Sequence, residues 1–145
     1  MPFEPQFPDE FSNLFHGHIQ TQTTDPHGVP SSSIISMEQD WHLQVNWQVH
    51  GALVPAIGGT WHLRVYVESI GPGPEMQVAS ADIPLNGGTD YNQTFFIGPN
   101  VPGRAGAYKL VSVLTYTDIL GNPGLFAAYD EAGVLQFYEG RRVPS

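Results

Sequence analysis

WHLQVNWQVH (41–50) and, shortly after it, TWHLRVYVES (60–69) alternate between apolar and polar residues along their whole length. A period of two sustained over ten residues, and repeated, predicts two long β-strands, each buried on one face. Trp41, Leu43, Val45, Trp47 and Val49 form the apolar side of the first, and Trp61, Leu63, Val65 and Val67 that of the second. The stretch Trp41-His42-Leu43-Gln44-Val45 recurs as Trp61-His62-Leu63-Arg64-Val65. Two copies do not make a solenoid, and the echo reads as two strands facing the same core.

Length and composition bound what such strands can belong to. A chain of 145 residues fits one domain able to bury roughly two-thirds of its unfolded surface without staples. Cysteine is absent, which removes thiol catalysis, disulfides and cysteine-containing metal sites. Fourteen acidic residues stand against five basic ones, and only 13% of residues are charged, where about 25% is usual. The net charge of −9 argues against nucleic acid and anionic membrane surfaces, which need a basic patch. Low charge density leaves much of the surface neutral, and this suits a surface covered by another molecule. The opening residues carry Glu4, Asp9 and Glu10 without Lys or Arg, unlike a secretory signal. No window has about 18 consecutive apolar residues. The expectation is a cytoplasmic protein, or one exported by a non-Sec route.

A composition break near residue 33 separates an arm and linker (1–32), with five prolines and no Lys or Arg, from a body (33–145). The body predicts further strands at 76–85, 90–97, 107–117, 125–129 and 134–138, with a short one opening it at 34–38. Gly, Pro and Asn clusters lie between them: GPGP (71–74), NGGTD (86–90), GPNVPGRAG (98–106) and GNPG (121–124). Seven or eight strands with turn signals every 8 to 15 residues predict an all-β antiparallel sandwich. Gly106-Ala107-Tyr108-Lys109-Leu110, opening a long alternating strand after a Pro/Gly loop, resembles the tyrosine-corner region of immunoglobulin-like domains. Leu110 stands where antibody domains place the second disulfide cysteine. The resemblance therefore implies a disulfide-free relative of the fibronectin-like or early-set kind. It covers the body alone, and a fold of this kind carries no function by itself.

If 51–59 closes a hairpin, antiparallel register pairs His50 with Thr60, Gln48 with His62, Asn46 with Arg64, Gln44 with Tyr66 and His42 with Glu68. That would gather amides, imidazoles and one phenol on one nearly uncharged face. An exposed sheet face, a protein contact surface built on Gln44, Asn46, Gln48 and Tyr66, and a carbohydrate platform using Tyr66 all fit that composition. His42, His50, His62 and Glu68 would share the neighbourhood, but ligands spread over five registers do not converge on one ion, so neither a metal nor a cofactor is expected. His16 and His18, flanking Gly17 in the arm, carry still less.

No G-x-S-x-G elbow or comparable nucleophile context occurs, and the carboxylates from Glu68 to Glu131 mostly border turns, where Asp caps backbone amides. No catalytic residue is nominated. The arm is more informative: Phe3, Phe7, Phe11 and Phe15 supply half of the eight phenylalanines. A segment that merely dangles is aromatic-poor. Pro5 and Pro8 interrupt any early helix, but Asp9 as cap, Phe11, Leu14 and Phe15 as an apolar stripe and Gly17 as terminator predict a short helix at 9–16. The arm then docks either on its own sandwich or on a partner. Together these readings predict a non-enzymatic structural or assembly protein. Its partner is another copy of itself or a different protein, contacted through Phe3, Phe7, Phe11, Leu14 and Phe15 and through the neutral sheet face. The alternative is a module for carbohydrate or another small ligand.

Overall fold

The structure, a computed structural model, describes Phe3 and residues 16–24, 34–71 and 75–139, with the backbone alone at 125 and 126. Its strands are β1 (His16–Thr24), β2 (Ile34–Ser36), β3 (Trp41–His50), β4 (Thr60–Ser69), β5 (Glu75–Pro84), β6 (Asp90–Ile97), β7 (Gly106–Thr117) and β8 (Pro123–Tyr138). They form a three-stranded sheet, β1-β3-β6, packed on a five-stranded sheet, β2-β8-β7-β4-β5. Every pairing is antiparallel except that of β2 with β8. Where two short strands were expected at 125–129 and 134–138, β8 runs through both.

The two opening runs are strands over their full expected length, but they are not hairpin partners. β3 is the centre of the three-stranded sheet, whereas β4 lies between β7 and β5 in the other sheet. Residues 51–59, with one 3-10 turn at Val54–Ala56, carry the chain across the sandwich rather than back along one sheet. A period of two specifies which side chains are buried, not which strand lies alongside. Facing strands in opposite sheets satisfy it as well as adjacent ones. Nine residues also exceed the two to five of a usual hairpin loop. The odd-numbered side chains meet across the interior: the Trp47 and Trp61 rings stand 6.5 Å apart, edge to face. Tyr91 stacks on Trp47 at 5.6 Å, and Trp41 meets Phe137 at 5.3 Å. The sequence echo is thus two strands lining one core from opposite sides.

The segment at 16–24 differs most from expectation. Instead of a helix end and the start of a linker, His16–Thr24 is a strand paired with β3 from His16↔His50 to Thr24↔His42. The expected helix at 9–16 otherwise lies outside the described residues, and His16 is strand. Ile19, between polar neighbours, is completely buried, so β1 alternates like the other strands but with only one large apolar anchor. Gly17, expected to end a helix, faces inward between the exposed His16 and His18, and a Cβ there would collide with the Gln48 carbonyl and lie 3.3 Å from the Phe3 ring. The missing side chain lets Phe3 settle into the core, where it is 4% exposed. Its N–H donates to the Gly17 carbonyl at 2.9 Å, and its ring meets Trp61 at 5.7 Å.

Polar contacts tie β1 to the opposite sheet. The Thr21 N–H, on the outer edge of β1, donates to Asp130 Oδ2 at 2.8 Å, and the Thr21 hydroxyl donates to Ser112 Oγ at 2.7 Å. Across the molecule, Tyr108 does what the resemblance implies: its hydroxyl donates to the Arg104 carbonyl, four residues upstream, at 2.8 Å. That bond is the tyrosine corner, which anchors the loop before β7 to the strand's buried start.

Candidate functional site

Even-numbered residues of β1, β3 and β6 make the outer face of the three-stranded sheet, and register fixes their rows. His16 pairs with His50; His18, Gln48 and Asp90 form the next row. Gln20, Asn46 and Asn92 follow, then Gln22, Gln44 and Thr94, and last Thr24, His42 and Phe96. Apart from Asp90 none of these residues is an Asp, Glu, Lys or Arg. Two interior rows consist entirely of amides and a hydroxyl. Ring pairs close the ends of this polar field. His16 and His50 lie 5.4 Å apart, tilted by 32°. His42 meets the Phe96 edge at 4.7 Å and 80°, and Phe96 is 76% exposed. Where the face turns over β1 an open groove of about 430 Å³ is lined by Gln20, Gln22 and Asn46 with Asp130 and Glu131.

The outer face of the five-stranded sheet is its electrostatic opposite. Arg64, Glu68, Glu75, Asp82, Lys109 and Glu131 all project there, and Lys109 lies 3.7 Å from Glu131. Thr117, His62 and Asp82 form a hydrogen-bonded chain: Nδ1 of His62 donates to Asp82 Oδ1 at 2.7 Å, and the Thr117 hydroxyl lies 2.9 Å from Nε2. Arg64 also donates to Asp82 at 3.1 Å. The His62 hydrogen bond first, and Arg64 second, hold the Asp82 carboxyl below the usual aspartate value of 3.8. A hydroxyl, an imidazole and a carboxylate in series are the parts of a nucleophilic triad. Acyl transfer also needs donors aimed at a developing oxyanion, and those beside Thr117 are committed elsewhere. The Asp118 N–H donates to the Asn122 carbonyl, and those of Leu120 and Asn122 donate to Asp118 Oδ1. The chain is a cross-strand network of a charged sheet face, and Asp118 caps its turn as its position implied.

The expected contact residues therefore separate. Gln44, Asn46 and Gln48 share one face, with β1 and β6 rather than β4 as neighbours. Tyr66 is on the far side, beside Val111 and Gln77. The expected pairings of His42 with Glu68, Gln44 with Tyr66, Asn46 with Arg64, Gln48 with His62 and His50 with Thr60 do not occur. The histidine and glutamate neighbourhood dissolves with them: His42 and His50 lie on the three-stranded sheet, His62 and Glu68 on the five-stranded one. Phe3 is in the core of its own chain, while Phe7, Phe11, Leu14 and Phe15 lie outside the described residues. The sequence reading missed β1 and β6 as partners of β3. Tyr91, Phe95 and Ile97 at odd positions in 90–97 were the available signal for one, and Ile19 among polar neighbours a fainter one for the other.

No family model matches the chain, and no curated protein resembles it in sequence. Solved structures do resemble it in shape. The C-terminal domain of Wzt superposes with a TM-score of 0.58 at 12% identity, over 95% of this chain and 84% of that one. The CARDB domain of the PF1109 protein from Pyrococcus furiosus, solved in complex with di-metal ions, gives 0.54 at 12% identity, over 88% and 97% of the two chains. The chain has an immunoglobulin-like β-sandwich fold. At this identity the likeness extends to the fold and no further. Among the described residues no helix is long and apolar enough to cross a membrane.

Proposed function

We propose that this immunoglobulin-like domain is a non-enzymatic assembly module whose contact surface is the outer face of the three-stranded sheet, used between copies of the chain. One observation carries the reading: among the described residues, six formal charges lie on the outer face of one sheet and a single carboxylate, Asp90 on an edge strand, on that of the other, with Asp130 and Glu131 of the opposite sheet bordering it past β1. A solvated face gains nothing from excluding charge. A face that becomes buried does, because each desolvated ion costs several kcal/mol, whereas amides and hydroxyls can pair with their counterparts across an interface.

Size sets what else must take part. Three strands of up to ten residues present roughly 33 Å by 14 Å, on the order of 450 Å² in projection. That is about half of the ~800 Å² per partner of a standard interface. Phe7, Phe11, Leu14 and Phe15 of the arm are the apolar residues available for the rest, and β1, into which the arm leads, is an edge strand of this same sheet.

Truncating the arm is a poor test, because it removes Phe3 and endangers β1. The discriminating measurement is light scattering after size exclusion on the full chain, on a variant with Asn46→Lys and Thr94→Lys, and on Thr115→Lys of the opposite face. The full chain and Thr115→Lys are expected to be oligomeric, with the double variant shifted to monomer. A monomeric full chain, or an unaffected double variant, overturns the proposal.

A second reading, small-ligand binding on the same face, draws support from Phe96. An aromatic ring 76% exposed beside Gln44 and Thr94 offers stacking and hydrogen bonding together, as sugar rings require. Retention of a sugar on a glycan array and its loss with Phe96→Ala, but not with Tyr66→Ala, would favour it; retention of none would end it.

A further inference from the structure

We propose that His16, His18 and His50 form a surface site for one divalent transition-metal ion at the corner where β1 begins and β3 ends. All three ligands belong to one chain, at one end of the face assigned above to contact between copies, so binding is measured on the Asn46→Lys and Thr94→Lys variant as well as on the full chain. The structural basis is the pairing of β1 with β3. It turns two histidines of the arm, separated by a glycine, into a His-x-His element of an ordered strand, with a third imidazole directly across from the first. All three residues are exposed and on the same face.

Geometry supports a shared ion. A metal about 2.0–2.1 Å from an imidazole nitrogen, in the ring plane, lies about 3.2 Å from the ring centre; two rings around one tetrahedral ion then have centres about 5.2 Å apart. The His16 and His50 rings are 5.4 Å apart, so the pair needs little adjustment. His18 follows His16 by two residues, about 6.6 Å along the strand, and lies diagonal to His50, a separation that long side chains span. As the side chains stand, no group of three His, Cys, Asp or Glu among the described residues is placed to hold a metal ion. Completing the site therefore requires His18 to turn between staggered rotamers, which costs little for an exposed side chain. Gly17 between them faces the core and leaves the space over the sheet clear.

The donor set selects the ion. The nearest carboxylate in register, Asp90, is two strands from His18, with Gln48 between them. Three neutral nitrogens suit Zn²⁺, Ni²⁺ or Cu²⁺ and not the oxygen-seeking Mg²⁺ and Ca²⁺. A coordination position is left open to solvent or to a donor from outside the chain.

Isothermal titration of the full chain with ZnCl₂ tests this, alongside NMR with Co²⁺ to identify the affected residues. One equivalent is expected to bind in the micromolar range, with Mg²⁺ and Ca²⁺ failing to compete and paramagnetic effects centred on residues 16, 18 and 50. His16→Gln and His50→Gln should each weaken Zn²⁺ by at least about tenfold, and His18→Gln by a comparable factor, while His42→Gln and His62→Gln leave it unchanged. Matched circular dichroism melts verify that each variant folds. No binding at millimolar Zn²⁺, or equal small losses across all five variants, overturns the site. Because Asn46→Lys and Thr94→Lys leave all three histidines in place, the same titration on that variant separates this site from self-assembly.

Discussion

Tryptophan illustrates how little the residue type alone decides. All three tryptophans occupy the apolar side of an alternating strand and are at most 1% exposed, yet their indole nitrogens have different fates. Nε1 of Trp41 donates to the Val101 carbonyl at 3.3 Å, whereas those of Trp47 and Trp61 are buried and have no hydrogen-bond partner among the described residues. Replacing Trp41 by Phe strands a carbonyl; replacing Trp47 by Phe removes an unsatisfied donor. Trp41→Phe is therefore expected to cost about 1–2 kcal/mol more than Trp47→Phe in urea unfolding, and equal costs would contradict this. Asp82 gives a pH signature. Its folded-state pKa is lowered, chiefly by His62 and then by Arg64. The stabilisation is therefore present above the unfolded value of 3.8 and is lost as pH falls through the folded one. Melting temperatures followed from about pH 5 to about pH 2 should fall more steeply for the native chain than for Asp82→Asn. Parallel curves would show that the pair contributes nothing, which is the fate of many exposed ion pairs.

At the scale of the element, β3 and β4 were legible in the sequence because each buries a full alternating row, and β6 and β7 because most of theirs is apolar; alternation is what burial on one face imposes. β1 was not. Its inward positions are held by Gly17, Ile19, Thr21 and Thr23, a row too polar to announce a strand. The structure supplies what this row lacks: Phe3 fills the space at Gly17, and Ser112 and Asp130 satisfy Thr21. Asp130→Ala should therefore remove the carboxylate partner of a half-buried edge amide, costing about 0.5–1.5 kcal/mol. A chain lacking residues 1–24 should fare worse. It loses Ile19 and Phe3, each contributing about 1.5–3 kcal/mol, and bares an edge of β3. Against total stabilities of 5–15 kcal/mol, the shortened chain is expected to unfold at markedly lower urea concentration. Unchanged midpoints would mean that β1 adds nothing to the fold.

For the whole molecule, the partition of charge between two outer faces is the property that matters. If the neutral face makes the contact, self-association should change little between low and high salt, because few charges are there to be screened. Strong salt dependence in sedimentation equilibrium would assign the contact to the charged face instead. Sequence by itself determined β3, β4, β6 and β7, the buried sides of β3 and β4, the tyrosine corner at Tyr108 and the uncharged character of the outward residues of β3. These are local: a period, a turn and a composition are properties of adjacent residues. Tertiary structure alone decided which strands lie together. Alternation is blind to whether β3 and β4 are neighbours or face each other, and only the packing of Trp47 against Trp61 across the core resolves it. With that choice Tyr66, His62 and Glu68 went to one side of the molecule and Gln44, Asn46 and His50 to the other. The neutral face anticipated from β3 survived, with β1 and β6 in place of β4, because a strand in the middle of a sheet needs partners on both edges and the chain had polar ones to offer.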